Sequence, residues 1–135
     1  MKIKSFFAKP FASYIYRGTR KEMGTALEDQ DNILKSLLKI GSKTVFGREH
    51  HLETVKTYEE FKEAVPIRDY EKFKPYIAQI RQGKHNVMWR GQPIYFAKTS
   101  GTTSGVKYIP ISKDSNSNHI NTARNALLCY MAETG

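Results

Sequence analysis

The sequence predicts an α/β chain in which a run of helices leads into a single β-hairpin, and three observations carry that prediction. Apolar residues recur at spacings of three and four through most of the chain up to Gln82, the period of a helix face. From Pro93 the pattern shortens to two apolar stretches, residues 93–98 and 107–111, rich in the β-branched and aromatic types that strands favour. Between them, seven of the eight residues 99–106 are Gly, Ser or Thr, the composition of a tight connection.

The elements follow in order. From Ser5 to about Lys21, Phe7, Phe11, Tyr14 and Ile15 share one helix face, with Pro10 marking a kink or a late start. Residues 30–46 carry Ile33, Leu34, Leu37, Leu38 and Ile40 on an amphipathic pattern that Asp29 or Asp31 can cap and that Gly41 and Gly47 bound. Thr57-Tyr58-Glu59-Glu60 has the capping-box form, so a short helix is expected to about Ala64. Pro66 ends it, because proline disfavours helical geometry in the residue before it. Asp69 caps a further helix presenting Tyr70, Phe73, Tyr76, Ile77 and Ile80, with Pro75 as a distortion and Gly83 as terminator. After the hairpin, Ser112 or Ser115 starts a last helix carrying Ile120, Ala123, Ala126, Leu127, Leu128 and Met131. Two strands make an unusually small sheet for an independent α/β domain, so residues 1–135 are expected to be the incomplete N-terminal portion of a larger one.

Composition narrows the function classes. Hydrophobic residues at 39% are enough for a core, and no segment approaches the ~20 consecutive apolar residues of a membrane span. The basic start Met1-Lys2-Ile3-Lys4 is not followed by the apolar stretch of a signal peptide. Cys129 is the single cysteine, which removes internal disulfides and thiolate-rich metal sites and fits a reducing compartment; the expectation is a cytoplasmic protein. Lys and Arg total 22 against 13 acidic residues, and the +9 balance favours anionic partners without choosing among them.

The chemistry is concentrated in residues 99–107. Gly101 and Gly105 allow close backbone approach, Ser100, Thr102, Thr103 and Ser104 offer hydroxyl donors beside Thr99, and Lys107 adds a positive charge. Such a concavity suits a polyphosphate. It is not the P-loop motif, which needs Gly-Lys-Ser/Thr opening a helix; here Lys107 follows Val106 and leads into a strand. The dinucleotide-binding glycine pattern is also absent. The alternative reading is a mobile hairpin loop, since the same residue types are common turn formers.

The stretch Phe96-Ala97-Lys98-Thr99-Ser100-Gly101-Thr102-Thr103-Ser104-Gly105-Val106-Lys107-Tyr108-Ile109-Pro110 resembles the first ATP motif of the auxin-responsive (Gretchen Hagen) acyl acid-amido synthetases. Phe61, Val65-Pro66-Ile67-Arg68-Asp69-Tyr70, Pro75-Tyr76-Ile77 and Gly83 are similar in order and spacing to that family's N-terminal region, and Phe46-Gly47 with His50-His51 resembles its bacterial members. The resemblance covers nearly the whole chain. It implies an adenylate-forming fold related to acyl-CoA synthetases and luciferases, mostly helical here, with the hairpin carrying the phosphate loop. It also implies ATP and Mg2+, a carboxylic acid activated as its adenylate, and an amino acid amine as acceptor. Thr99, Ser100, Gly101, Thr102, Thr103, Ser104, Gly105 and Lys107 would be the ATP-binding set, with Ser100, Thr102, Thr103 and Lys107 reaching the β- and γ-phosphates. Family members are several times longer. Their second ATP motif, ribose motif and mobile C-terminal domain are not seen, so the chain alone is expected to be inactive without the remainder of the synthetase.

Other features weigh less. Glu49-His50-His51 lacks a third ligand at a plausible spacing, and adjacent histidines diverge on most backbones, so no metal site is expected. His85 stands alone, as does His119, placed before the last helix. Cys129, among Leu127, Leu128, Tyr130 and Met131, reads as a small packed residue rather than a nucleophile. Phe6, Phe7, Lys9, Phe11, Tyr14, Tyr16, Arg17, Arg20 and Lys21 are a mixture that could serve single-stranded nucleic acid, but their helical spacing points to packing, and no nucleic-acid fold signature accompanies them. A non-catalytic interaction module is the remaining alternative.

Overall fold

The computed structural model describes residues 2–100 and 105–134, and for residues 2–8 the backbone alone. Helix α1 is Lys2–Glu22, a 3-10 turn covers Met23–Thr25, and α2 is Ala26–Gly41. Then come α3 (Val45–Glu49), α4 (Tyr58–Ala64), α5 (Tyr70–Arg81), β1 (Tyr95–Lys98), β2 (Tyr108–Ile111) and α6 (Lys113–Thr134). The described part is thus mostly helical with one two-stranded antiparallel sheet. The chain divides into two compact units, one taking in residues up to Asp29 and from Asp114 on, the other Gln30–Lys113.

The core of Gln30–Lys113 is built on α5. Tyr76, Ile77 and Ile80 recur on one face, and with Val87 they form the buried cluster against which Phe46, Tyr70, Phe73, Phe96 and Tyr108 pack. Fully burying one such side chain contributes about 1.5–3 kcal/mol, so this cluster holds the hairpin to the helices. Asp69 caps α5 as its sequence position implies, its carboxylate accepting from the Lys72 N–H at 3.1 Å. The helix continues through Pro75, and past its end Gly83 sits at φ +88°, a left-handed conformation that glycine adopts without strain. Burial, and after it the hydrogen bond that the Tyr76 hydroxyl donates to Glu49, raise the Tyr76 pKa, with Arg68 pulling the other way.

Helix α2 differs from the expected span at both ends. It begins at Ala26, so neither Asp29 nor Asp31 caps it: Asp29 accepts from the Thr25 hydroxyl at 2.7 Å and Asp31 pairs with Lys35 at 2.5 Å. It stops at Gly41 because a new helix, α3, is capped at Thr44, which is almost fully buried. The Thr44 hydroxyl donates to the Gly41 carbonyl at 2.7 Å and accepts from the Gly47 N–H at 2.9 Å. The Val45 and Phe46 N–H groups bond to the carbonyls of Asn86 (2.8 Å) and Val87 (2.9 Å). All three orphan donors of the first turn of α3 are therefore satisfied, two of them by a segment that lies about forty residues on in sequence.

The capping box of α4 forms as read. Thr57 Oγ1 accepts from the Glu60 N–H at 3.2 Å, and Glu60 Oε2 accepts from the N–H groups of Thr57 (3.2 Å) and Lys56 (2.6 Å). The Lys56 bond first and the Thr57 bond second hold the Glu60 carboxyl below the usual glutamate range. A folded-state pKa below the unfolded one means the contribution is present above the unfolded value and is lost as pH falls through the folded one. Glu60→Gln is therefore expected to flatten the acid limb of stability below the usual glutamate range. Urea midpoints measured at stepwise lower pH check this, and an unchanged slope contradicts it.

In the other unit, α1 and α6 run antiparallel: Tyr16 donates to Glu133, and one turn on Cys129 Sγ lies 3.9 Å from Thr19 Oγ1. Ala12 is the residue here with no exposed surface, while Phe11, Tyr14, Ile120 and Leu127 are half exposed or more. The helices are where the periodicity puts them; on the faces expected to pack, Ile15, Leu128 and Met131 are half-buried while these others stay open. His119 lies inside α6, which starts at Lys113, and not ahead of it as expected. Among the described residues no helix is long and apolar enough to cross a membrane.

Candidate functional site

The hairpin pairs Tyr95 with Ile111, Phe96 with Pro110, Ala97 with Ile109 and Lys98 with Tyr108. Both strands are shorter than expected, since residues 93, 94 and 107 lie outside the ladder proper. The pairing extends one step at the loop end. The Thr99 N–H donates to the Lys107 carbonyl at 3.1 Å, and the return bond runs from the Lys107 N–H to Thr99 Oγ1 at 3.3 Å instead of to the Thr99 carbonyl. The neck of the loop is thus closed by backbone on one side and a side chain on the other. The Thr99 oxygen accepts here, and its hydroxyl proton remains to donate to a ligand. Gly105 has φ +77° with open space where a Cβ would lie, and the chain re-enters β2 through it.

Of the residues expected to bind phosphate, Gly101, Thr102, Thr103 and Ser104 lie outside the described residues. Thr99, Ser100, Gly105 and Lys107 are described, and the neck brings Thr99 and Lys107 together.

Two cations on this hairpin side rest on aromatic faces. Lys107 Nζ lies 5.7 Å from the Tyr70 ring centroid, and Arg81 Cζ lies 4.5 Å from that of Tyr108. Lys107 forms no ion pair with the described residues. A ring attracts a cation without cancelling its charge, so the ammonium keeps both its field and its donors for an anion.

Tyr70 also reaches the backbone. Its hydroxyl accepts from the Tyr108 N–H at 2.8 Å and donates toward the Tyr108 carbonyl at 3.3 Å. In an antiparallel ladder alternate residues turn their polar groups to the partner strand; with Thr99 and Lys107 bonded to each other, Tyr108 faces the outer edge. The phenol takes both groups that a third strand would have taken. Sequence reasoning placed Tyr70 only on the apolar face of α5. Its partner is 38 residues away, and no local spacing announces such a contact.

The histidine pair separates. His50 is buried, stacked on Phe46 with ring centroids 4.0 Å apart, and bonded through Nδ1 to the Phe46 carbonyl at 2.7 Å; His51 is exposed at φ +50° with Glu53 3.6 Å away. A carbonyl only accepts, so Nδ1 carries the proton. A hollow of about 480 Å³ beside the pair is lined by Glu49, Thr54, Glu60 and Glu63. Among the described residues no group of three or more His, Cys, Asp or Glu side chains can hold a metal ion.

The chain matches no curated protein and no solved structure. Residues 17–134 match the family model described as the GH3 family N-terminal domain, a span that includes the capped helices, the hairpin and its loop. The chain therefore belongs to the GH3 family, the auxin-responsive acyl acid amido synthetases.

Proposed function

We propose that this chain is the N-terminal part of an ATP-dependent acyl acid-amido synthetase of adenylate-forming fold, and that residues 99–107 grip the β- and γ-phosphates of ATP. The observation that carries the reading is Lys107: it stands at the neck of a hydroxyl- and glycine-rich loop, and no described carboxylate pairs with it. The described groups suit a polyphosphate, with the Lys107 charge, the Thr99 proton and the open backbone at Gly105. Ser100, Gly101, Thr102, Thr103 and Ser104 complete the proposed set.

In the proposed reaction a carboxylate oxygen attacks the α-phosphorus of ATP and the bond to pyrophosphate breaks. The amine of an amino acid then attacks the acyl carbon, releasing AMP and forming the amide. The loop's part is electrostatic: it holds the two phosphates on which charge accumulates as pyrophosphate departs. Magnesium, when bound, would share that neutralisation. It would be held mainly through the phosphates and residues outside this chain. The adenine, ribose, acyl and amine contacts and a C-terminal domain are assigned to the remainder of the synthetase, and the 135 residues alone to an inactive state. The free Cys129 is consistent with the cytoplasm as the place of action, and neither nucleic acid nor membrane is proposed as a partner.

The test is exchange of labelled pyrophosphate into ATP by the natural full-length protein, screened against a panel of carboxylic acids. Exchange that requires a carboxylic acid but no amino acid, with an amide appearing once an amino acid is added, is the expected result. ATP turnover indifferent to every carboxylic acid contradicts the proposal.

A further inference from the structure

We infer that Tyr70 is the positioning residue of the phosphate loop: its hydroxyl fixes where β2 leaves the loop, and its ring holds the Lys107 ammonium ready for phosphate. The inference rests on the proposed role of the loop and deepens it.

The two contacts act on adjacent residues. The phenol accepts from the Tyr108 N–H at 2.8 Å and donates to the Tyr108 carbonyl at 3.3 Å, which fixes the peptide groups on either side of that Cα. Lys107 shares one of those peptide groups, and its Nζ lies 5.7 Å from the centroid of the same ring. One side chain therefore orients both the backbone and the charge at the loop's exit. It is well placed to do so, since Tyr70 begins α5, whose Asp69 cap fixes the helix start, and its ring packs on the core formed by Tyr76, Ile77, Ile80 and Val87.

The choice of an aromatic ring has a consequence for ligand binding. A carboxylate in the same place would hold Lys107 more strongly and would neutralise it, and an incoming phosphate would have to displace it. The quadrupole of a phenol ring attracts the ammonium more weakly than a full charge does and leaves net positive charge at the neck. Phosphate, with its full charge, outcompetes the ring for the ammonium's donors. Ordering Lys107 beforehand reduces the side-chain entropy lost on binding, the general benefit of preorganisation.

The experiment is calorimetric binding of ATP with Mg2+ to the natural protein and to Tyr70→Phe, Tyr70→Leu, Lys107→Ala and the Tyr70→Leu/Lys107→Ala double variant. Tyr70→Phe keeps the ring and loses the bonds to Tyr108; Kd is expected to rise about five- to tenfold, the worth of one or two net hydrogen bonds. Tyr70→Leu is expected to lose about two- to fivefold more, the contribution of the ring to Lys107. In the double variant most of that second loss disappears, because there is no longer an ammonium to place. A merely structural role lowers the fraction of competent sites, read as stoichiometry, and leaves Kd unchanged in the rest. Should Tyr70→Leu fail to fold, Tyr70→Phe decides together with amide exchange at Tyr108, which must accelerate. Weakened binding in Lys107→Ala with wild-type Kd in both Tyr70 variants overturns the role of Tyr70 alone. Wild-type Kd in Lys107→Ala shows that the ammonium does not contact bound ATP, and overturns this inference while leaving the loop's role in the reaction to the pyrophosphate-exchange test.

Discussion

Gly47→Ala is expected to destabilise the Gln30–Lys113 unit by about 3 kcal/mol or more, at the upper end of what a single overpacking substitution does. A Cβ on Gly47 would lie 2.0 Å from the Gly41 carbonyl oxygen, 2.7 Å from the Gly41 carbonyl carbon and 2.8 Å from Ser42 Cα. All three are backbone atoms, so no rotamer change relieves the clash. The backbone there cannot retreat freely either, because the same Gly41 oxygen accepts from both the Thr44 hydroxyl and the Thr44 N–H. Moving it breaks the turn that ends α2 and starts α3. Gly41→Ala is the control: its Cβ would meet Leu52 Cδ1 at 3.6 Å, ordinary contact, and a change within about 1 kcal/mol is expected. Urea denaturation monitored by far-UV circular dichroism compares the two, and equal midpoints contradict the close-approach account.

Lys107→Ala in the natural full-length protein is expected to slow pyrophosphate-forming adenylation by about 10²–10³-fold, the usual cost of removing one preorganised electrostatic contact to developing charge. The substitution leaves the fold largely intact, since the Lys107 backbone bonds to Thr99 do not involve its side chain. Lys107→Arg keeps the charge in a different shape and is expected to lose less. Stopped assays of pyrophosphate release at saturating and limiting ATP separate binding from rate. An unchanged rate with unchanged ATP dependence removes Lys107 from the site.

What could be read from the sequence was what depends on neighbours in the chain. Thr57 with Glu60, Asp69 before α5, and Gly83 after it are local stop and start signals, and each forms in the structure. The turn at Gly41–Thr44 was also written locally, as a glycine followed by a Thr cap, but the apolar spacing continues from Ile40 into Val45 and Phe46 and hid the break. The faces of α1 and α6 show a different limit. Periodicity identifies an apolar stripe, whereas its burial depends on distant partners, and Phe11, Tyr14, Ile120 and Leu127 stay exposed.

The site divides in the same way. Composition alone fits a turn as well as an anion site at residues 99–107; the unbroken run, its closing Lys107 and the two flanking apolar strands are what point to an anion. The arrangement that supports Lys107 was not legible: Tyr70 and Tyr108 stand 38 residues apart, and a tyrosine on an apolar helix face gives no sign of where its hydroxyl goes. The same holds for α3, whose first two N–H groups find their acceptors at Asn86 and Val87.

Hydrogen–deuterium exchange of the natural protein with and without ATP and Mg2+ asks whether residues 99–107 bind the phosphates of ATP. Slowed exchange is expected in peptides spanning residues 99–107, reproduced in part by pyrophosphate and diminished in Lys107→Ala. Protection of other segments by ATP, with exchange at residues 99–107 unchanged, would contradict it.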